Sequence, residues 1–193
     1  ALQLIPRGAA LDIADLGTGS GAIAAAIASE RPHCRILASD RSRRALAVAQ
    51  DNFRRLELAN VRCAQGAWCE ALASRTTFDL ILSNPPYVAQ QDPHLLRNGL
   101  PWEPSDALCS GTDGLDDLRQ IILQARRHIS AGGWLLLEHG VQQGEQVRAL
   151  LRDAGYLNVR THLDLGGRDR VSAGRTAAAA ELRPPSRDGC IST

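Results

Sequence analysis

The sequence predicts an α/β fold, a doubly wound, seven-stranded and mostly parallel sheet whose last strand runs antiparallel. Three observations carry this. Short apolar runs alternate with amphipathic stretches of about 10–15 residues, the pattern of βα units around a parallel sheet. The first apolar run passes through a glycine-rich loop directly into a helical stretch. Near the end, Gly166-Gly167 joins two short segments as the turn of an antiparallel hairpin does.

Taken in order, strands are expected at Leu11–Leu16, Arg35–Ser39, Val61–Gln65, Phe78–Ser83 and Trp134–Glu138, then at Asn158–Leu163 and Arg170–Ala173. Helices fall between them. Ala22–Ser29 is rich in Ala and Ile and stops before Pro32, and Ser42–Leu56 opens on Ser42 as an N-cap. Leu115–Ile129 repeats apolar residues at Leu115, Leu118, Ile121, Ile122 and Ala125, and Gln143–Ala154 does so more weakly. The segment from Asn84 to Asp113 fits neither period and carries Pro93, Pro101 and Pro104, as functional loops inside compact domains do. Residues 1–175 are expected to form one domain. Thr176–Thr193, an Ala run followed by RPPSRDG, reads as a disordered tail.

Composition excludes several classes. At 193 residues and 44% hydrophobic content the chain is the size of one soluble domain with a sizeable core. A net charge of +1 gives no global reason to expect a nucleic-acid or membrane-surface partner, and no apolar run approaches the ~20 residues that span a bilayer. Cys34, Cys63, Cys69, Cys109 and Cys190 are odd in number and lack C-x-x-C spacing, which suggests neither zinc site nor disulfide framework and fits a reducing cytoplasm. No metal is expected. Methionine is absent throughout, so the chain is expected to lack its native start.

The first strand runs into Asp15-Leu16-Gly17-Thr18-Gly19-Ser20-Gly21. Glycines allow a tight turn and close approach of the backbone to a ligand, and the following helix offers unpaired N–H groups and a positive dipole end. Asp40, closing the second strand, stands where a carboxylate accepts both hydroxyls of a ribose in doubly wound sheets. Gly17-x-Gly19-x-x-Ala22 satisfies the dinucleotide fingerprint, so a nicotinamide-dependent oxidoreductase remains open at this point. The full spacing D-x-G-x-G-x-G resembles instead the first motif of Rossmann-like class I methyltransferases. That resemblance implies S-adenosylmethionine as cofactor, its carboxylate at the glycines and its ammonium region near Asp15.

The fourth strand ends on Asn84-Pro85-Pro86-Tyr87. Two prolines end ladder pairing and hold their neighbours' carbonyls in a set direction. The Asn84 side-chain carbonyl and the Pro85 main-chain carbonyl form a pair of acceptors suited to a substrate NH₂, with the Tyr87 ring as a stacking face. An amide or aryl nitrogen gives its lone pair to conjugation and is a poor nucleophile. Holding both its hydrogens favours the pyramidal form it takes during attack, which is stabilisation aimed at the transition state.

With both motifs present the chain resembles the HemK/PrmC-type glutamine methyltransferases of peptide-chain release factors. The likeness covers most of residues 1–175: DLGTGSGAIA at 15–24, SD at 39–40, SNPPYV at 83–88, QDPHL at 91–95, EP at 103–104, GTDGL at 111–115, LLLEHG at 135–140 and DRV at 169–171. It implies methyl transfer from S-adenosylmethionine, leaving S-adenosylhomocysteine, to the side-chain amide nitrogen of the glutamine in a Gly-Gly-Gln loop. It implies release factors as partners, with no membrane and no direct need for nucleic acid. By the same resemblance Gly17, Thr18, Gly19, Ser20, Gly21, Asp40, Trp68 and Asn84 contact the donor, and Asn84, Pro85, Pro86 and Tyr87 hold the glutamine. Family proteins carry a small helical domain before the catalytic one, and the chain is expected to lack it. Ala67 stands where relatives tend to have a polar residue near the adenine.

Other readings remain open on sequence alone: an adenine exocyclic-amine methyltransferase acting on DNA or RNA, which also needs paired acceptors and a stacking face, and a fragment that binds cofactor without turnover. His139, Glu103 and Glu138 are read as scaffold residues. Arg41, Arg43, Arg44, Arg54 and Arg55 read as a solvated helix face.

Overall fold

The computed structural model of the chain describes residues 1–74, 76–89 and 110–181. Seven strands, β1 (Asp12–Leu16), β2 (Arg35–Asp40), β3 (Val61–Gln65), β4 (Phe78–Ser83), β5 (Ile129–Glu138), β6 (Leu157–Leu163) and β7 (Asp169–Arg175), form one sheet in the order β3-β2-β1-β4-β5-β7-β6. Neighbours from β3 across to β5 pair in parallel, and β7 pairs antiparallel with both β5 and β6. This is the expected sheet. The antiparallel strand lies between β5 and β6, and the Gly166-Gly167 turn that enters it is closed by Gly167 N–H to the Asp164 carbonyl at 3.0 Å.

Among the described residues, four α-helices cover the two faces: α1 (Ala22–Glu30), α2 (Arg43–Arg55), α3 (Asp116–Ala125) and α4 (Gly144–Asp153). Alternation along each strand sorts the core. Ile13, Leu80, Leu82 and Leu136 pack with Ala24, Ile27, Ala49 and Phe53 of α1 and α2. Ala14, Leu16, Ile81, Leu135 and Leu137 pack with Leu118, Ile122, Val147 and Leu151 of α3 and α4. The Ser42 hydroxyl accepts from the Ala45 amide at 3.3 Å, as expected of the α2 N-cap.

Two boundaries differ from expectation. The helix expected over Leu115–Ile129 stops at Ala125, and Ile129 instead opens β5, five residues before the expected Trp134. Ile129 continues the helical apolar spacing, but it pairs with Phe78, whose amide bonds the His128 carbonyl at 2.8 Å. The tail expected from Thr176 is described as far as Glu181. Over that stretch Thr176 donates its amide to the Gly133 carbonyl at 2.9 Å and its hydroxyl to Ser130 at 2.7 Å, and Glu181 pairs with Arg175 at 2.7 Å. Among the described residues no helix is long and apolar enough to cross a membrane.

β1 and β4 are adjacent although three strands apart in sequence order, and the next α-helices described after them, α1 and α3, pack on opposite faces. That reversal is the switch point at which doubly wound sheets hold ligands, beyond the C-terminal ends of the strands.

Candidate active site

The loop after β1 is built by contacts from both neighbouring strands. Thr18 N–H donates to the Ser39 carbonyl of β2 at 2.8 Å, and the Ser83 hydroxyl of β4 donates to the Leu16 carbonyl at 2.7 Å. Asn52 of α2 donates its amide to the Ser20 carbonyl at 2.9 Å. Gly17, Gly19 and Gly21 all have positive φ. At Gly17 the constraint is double: φ is +69°, and a Cβ would stand 2.9 Å from the Trp68 ring. A side chain there would push the ring out of place.

Asp40 was expected to serve a ribose, and the structure gives its carboxylate an organising task as well. Oδ2 accepts the Gly19 amide at 2.9 Å, and Oδ1 accepts the Ser42 amide at 2.8 Å. Each oxygen has a further lone pair, so the carboxylate retains acceptor capacity while tying the glycine loop to the start of α2.

Asp15 lies beneath the loop, 1% exposed, and off the cleft wall. Its Oδ2 accepts from the Thr18 hydroxyl at 2.6 Å, and its Oδ1 is buried without a hydrogen-bond partner. Burial pushes the carboxyl up to about 6, against the downward pull of the Thr18 bond.

These elements frame a cleft of about 900 Å³, within the usual range for small-molecule sites. Its walls include Gly17, Thr18, Gly19, Ser20, Asp40, Trp68, Asn84 and Pro86, so most of the expected cofactor residues converge. Gly21, Pro85 and Tyr87 do not line it: Pro85 is buried, and Tyr87 is half-buried against the α3–α4 side of the core. Asn84 is exposed into the cleft from the end of β4. Trp68 opens a short 3-10 helix, Trp68–Ala71, in a left-handed conformation (φ +46°) that turns its ring toward the loop. Its indole N–H donates to Asp117 Oδ1 at 3.1 Å.

Asp117 also lines the cleft and carried no signal in the sequence, where it reads as an ordinary first-turn acid of α3. Ser110 holds that turn in place, its hydroxyl accepting the Asp117 amide at 2.7 Å and its own amide bonding the Val88 carbonyl at 3.0 Å. Arg41, Ser42, Ala45 and Val48 complete the side toward α2, and Ala67 lines the cleft beside Trp68. Glu103 and the QDPHL and EP stretches lie outside the described residues.

His139 takes the scaffold role expected of it. It is fully buried, with Nδ1 2.9 Å from the Gly140 carbonyl and Nε2 2.9 Å from the Ser172 hydroxyl. The carbonyl requires the proton on Nδ1, so Ser172 donates to Nε2. Thr161 then donates to Ser172 at 2.8 Å, and Arg148 donates to Thr161 at 2.6 Å. Burial lowers the imidazole pKa below its ordinary value.

A cleft with a carboxylate that retains acceptor capacity, a glycine loop at a helix start and an indole wall fits S-adenosylmethionine by these features. Fold and cleft together define a domain of the class I methyltransferase type. Solved structures that share the fold include a ribosomal protein L11 methylase from Lactobacillus delbrueckii subsp. bulgaricus, at TM-score 0.65 and 18% identity over 88% of this chain and 72% of that one. A methyltransferase from Pyrococcus furiosus has TM-score 0.68 and 20% identity over 91% and 79%. The profile of the methyltransferase small domain family matches residues 2–98, and the chain belongs to that family.

The chain is 51% identical over 175 residues to the release factor glutamine methyltransferase of Xylella fastidiosa (strain Temecula1), a match covering 91% of this chain and 63% of that protein. It is 48% identical over 163 residues to the release factor glutamine methyltransferase of Escherichia coli (strain K12), covering 84% and 58%. The chain therefore spans about three-fifths of the length of these curated relatives.

Proposed function

We propose that the chain binds S-adenosylmethionine in this cleft and methylates the side-chain amide nitrogen of glutamine in the Gly-Gly-Gln loop of peptide-chain release factors, in the cytoplasm. One observation carries the reading: Asn84 and Pro86, from the acceptor turn at the end of β4, wall the same cleft as Gly17–Ser20, Asp40 and Trp68. The relatives' names support the glutamine.

Gly17 to Gly21, Asp40, Trp68 and Asn84 would hold the donor, which when bound supplies an electron-poor methyl group. The chain's own task is to make a poor nucleophile attack it. Asn84 Oδ1 and the Pro85 carbonyl accept the two amide hydrogens, orient the nitrogen toward the donor side of the cleft and favour its pyramidal form. As the nitrogen bonds the methyl carbon, the donor's sulfur–carbon bond would break and its electron pair would leave on the sulfur of S-adenosylhomocysteine. The nitrogen would then shed a proton to solvent, so no strong base is required. Leaving one acceptor unpaired costs on the order of 1–3 kcal/mol, which disfavours acceptors lacking an NH₂.

Calorimetry with S-adenosylmethionine and with NAD tests the cofactor, and binding of NAD alone would overturn the reading. Labelled donor supplied together with release factor, ribosomal protein and DNA tests the acceptor by mass spectrometry. The label is expected on the Gly-Gly-Gln glutamine. Label on adenine instead would replace this function with amine methylation of nucleic acid.

A further inference from the structure

Gln143 caps the start of α4, just past the turn that leaves β5, and both ends of its side-chain amide are engaged. Oε1 accepts the Gly140 amide at 2.8 Å. Nε2 faces three backbone carbonyls, those of Tyr87 at 3.1 Å, Asp113 at 3.3 Å and Gly114 at 3.4 Å. Its orientation follows from these neighbours. Reversed, the amide would set its oxygen against three carbonyls and its NH₂ against an N–H. One side chain thereby ties together the end of the Asn84–Tyr87 turn, the turn before α3 and the end of β5.

The turn before α3 is shaped to allow this. Gly114 has φ +76°, and a Cβ there would stand 2.5 Å from the Tyr87 carbonyl oxygen and 2.8 Å from Gln143 Nε2. Only glycine lets the two backbones close on the amide. Asp113 steadies the same turn, Oδ1 accepting the Leu115 amide at 3.1 Å and Oδ2 pairing with Arg119 at 2.5 Å. The GTDGL stretch at 111–115, to which the cleft itself gives no task, acquires one here.

We propose that Gln143 is a positioning residue for methyl transfer: by holding the Tyr87 carbonyl it fixes the direction in which Asn84 and Pro85 present their acceptors to the substrate amide. The prolines stiffen the turn from within, and the Gln143 amide anchors its Tyr87 end. The proposal rests on the glutamine-methyltransferase reading above, and its substance is that the acceptor turn is held from outside the cleft.

The test compares the unsubstituted chain with Gln143→Glu and Gln143→Leu. Glutamate keeps the acceptor for Gly140 and loses both donors, and leucine loses everything but bulk. Both are expected to lower kcat for the release-factor glutamine at least tenfold and to leave S-adenosylmethionine affinity within twofold by calorimetry. In Gln143→Glu the deficit narrows as pH falls, because the protonated acid regains one donor. Fluorotyrosine labelling supplies a readout independent of activity. The sequence holds two tyrosines, and substitution should shift or broaden the Tyr87 fluorine resonance while that of Tyr156 stays in place as the internal control for folding. A kcat within twofold in both variants, or a Tyr87 resonance unmoved, overturns the positioning role. Failure of the unsubstituted chain to methylate the release factor, with the Tyr87 resonance still responding to substitution, removes the functional reading instead, and the catalytic role of Gln143 with it.

Discussion

Two buried titratable side chains stand at the same edge of the sheet, Asp15 near the end of β1 and His139 just past β5, and they are finished to different degrees. His139 ends a directed chain of donors from Arg148 through Thr161 and Ser172, and both its ring nitrogens are satisfied. Asp15 has one oxygen bonded to Thr18, and beyond a weaker contact with the Ala24 amide its Oδ1 has no partner. An unsatisfied buried polar atom costs about 1–3 kcal/mol, so a chain that closes one network and leaves the other open is not short of polar partners. The closed network belongs to the sheet. The open one lies beneath the glycine loop.

On this contrast, Asn84 at the cleft carries chemistry without stability, and the His139 network between β5 and β7 carries stability without chemistry. Asn84→Ala should show the largest effect, lowering methyl transfer by about 100-fold or more, the scale of removing one preorganised transition-state partner. Much of the donor affinity should remain, and the melting temperature should stay near that of the unsubstituted chain. Near-normal turnover in that variant would remove the acceptor role. Ser172→Ala breaks the other side by taking the partner from His139 Nε2 and Thr161, and chemical denaturation should show a loss of about 1–3 kcal/mol. Its kcat per folded molecule should not change, and a large fall would erase the distinction drawn above.

Gly17→Ala places a methyl group at positive φ against Trp68, a strain of about 1–2 kcal/mol. Chemical denaturation should record a loss of that size, and calorimetry should show weaker donor binding because the Trp68 wall is displaced. The gentlest test is Asp15→Asn. An acid whose native pKa is raised, here from 3.8 to about 6, keeps its proton in the native state while the unfolded chain loses it. Unfolding stability should therefore fall as pH rises from about 4 to about 6, by at most about 1.4 kcal/mol per pH unit, and the asparagine variant should lack that slope. His139 acts with the opposite sign. Its lowered pKa gives stability that is present above the ordinary histidine range and lost as pH falls below it.

β1 and β4, which border the cleft, were legible because they are buried along most of their length and read as short apolar runs. β3 and β4 fall on the residues expected, and β1 and β2 within one. The α3–β5 boundary was not legible, since Ile129 satisfies the helical spacing of Leu118, Ile122 and Ala125. What claims it for the sheet is Phe78, some fifty residues earlier, and such a pairing leaves no local mark. The same division runs through the site. Gly17, Asp40 and Asn84 announce themselves by spacing next to strand ends. Asp117 and Gln143 are ordinary polar residues at helix starts until the folded chain brings Trp68 to one and Tyr87 to the other. The engagement of Asp40 by two backbone amides was likewise hidden, because its partners are set by loop conformation rather than residue type.

The placement of β7 between β5 and β6 has a consequence for how the molecule is made. Every strand bordering the cleft has been synthesised by Ser83, and each of those pairings is parallel and complete without the C-terminal hairpin. β5 instead keeps a bare edge until Asp169–Arg175 emerges from the ribosome, and an unpaired edge is a template for association with another chain. The last strand therefore acts as a seal. The β5 edge is open between the synthesis of Glu138 and that of Arg175, after β1 to β4 are already made.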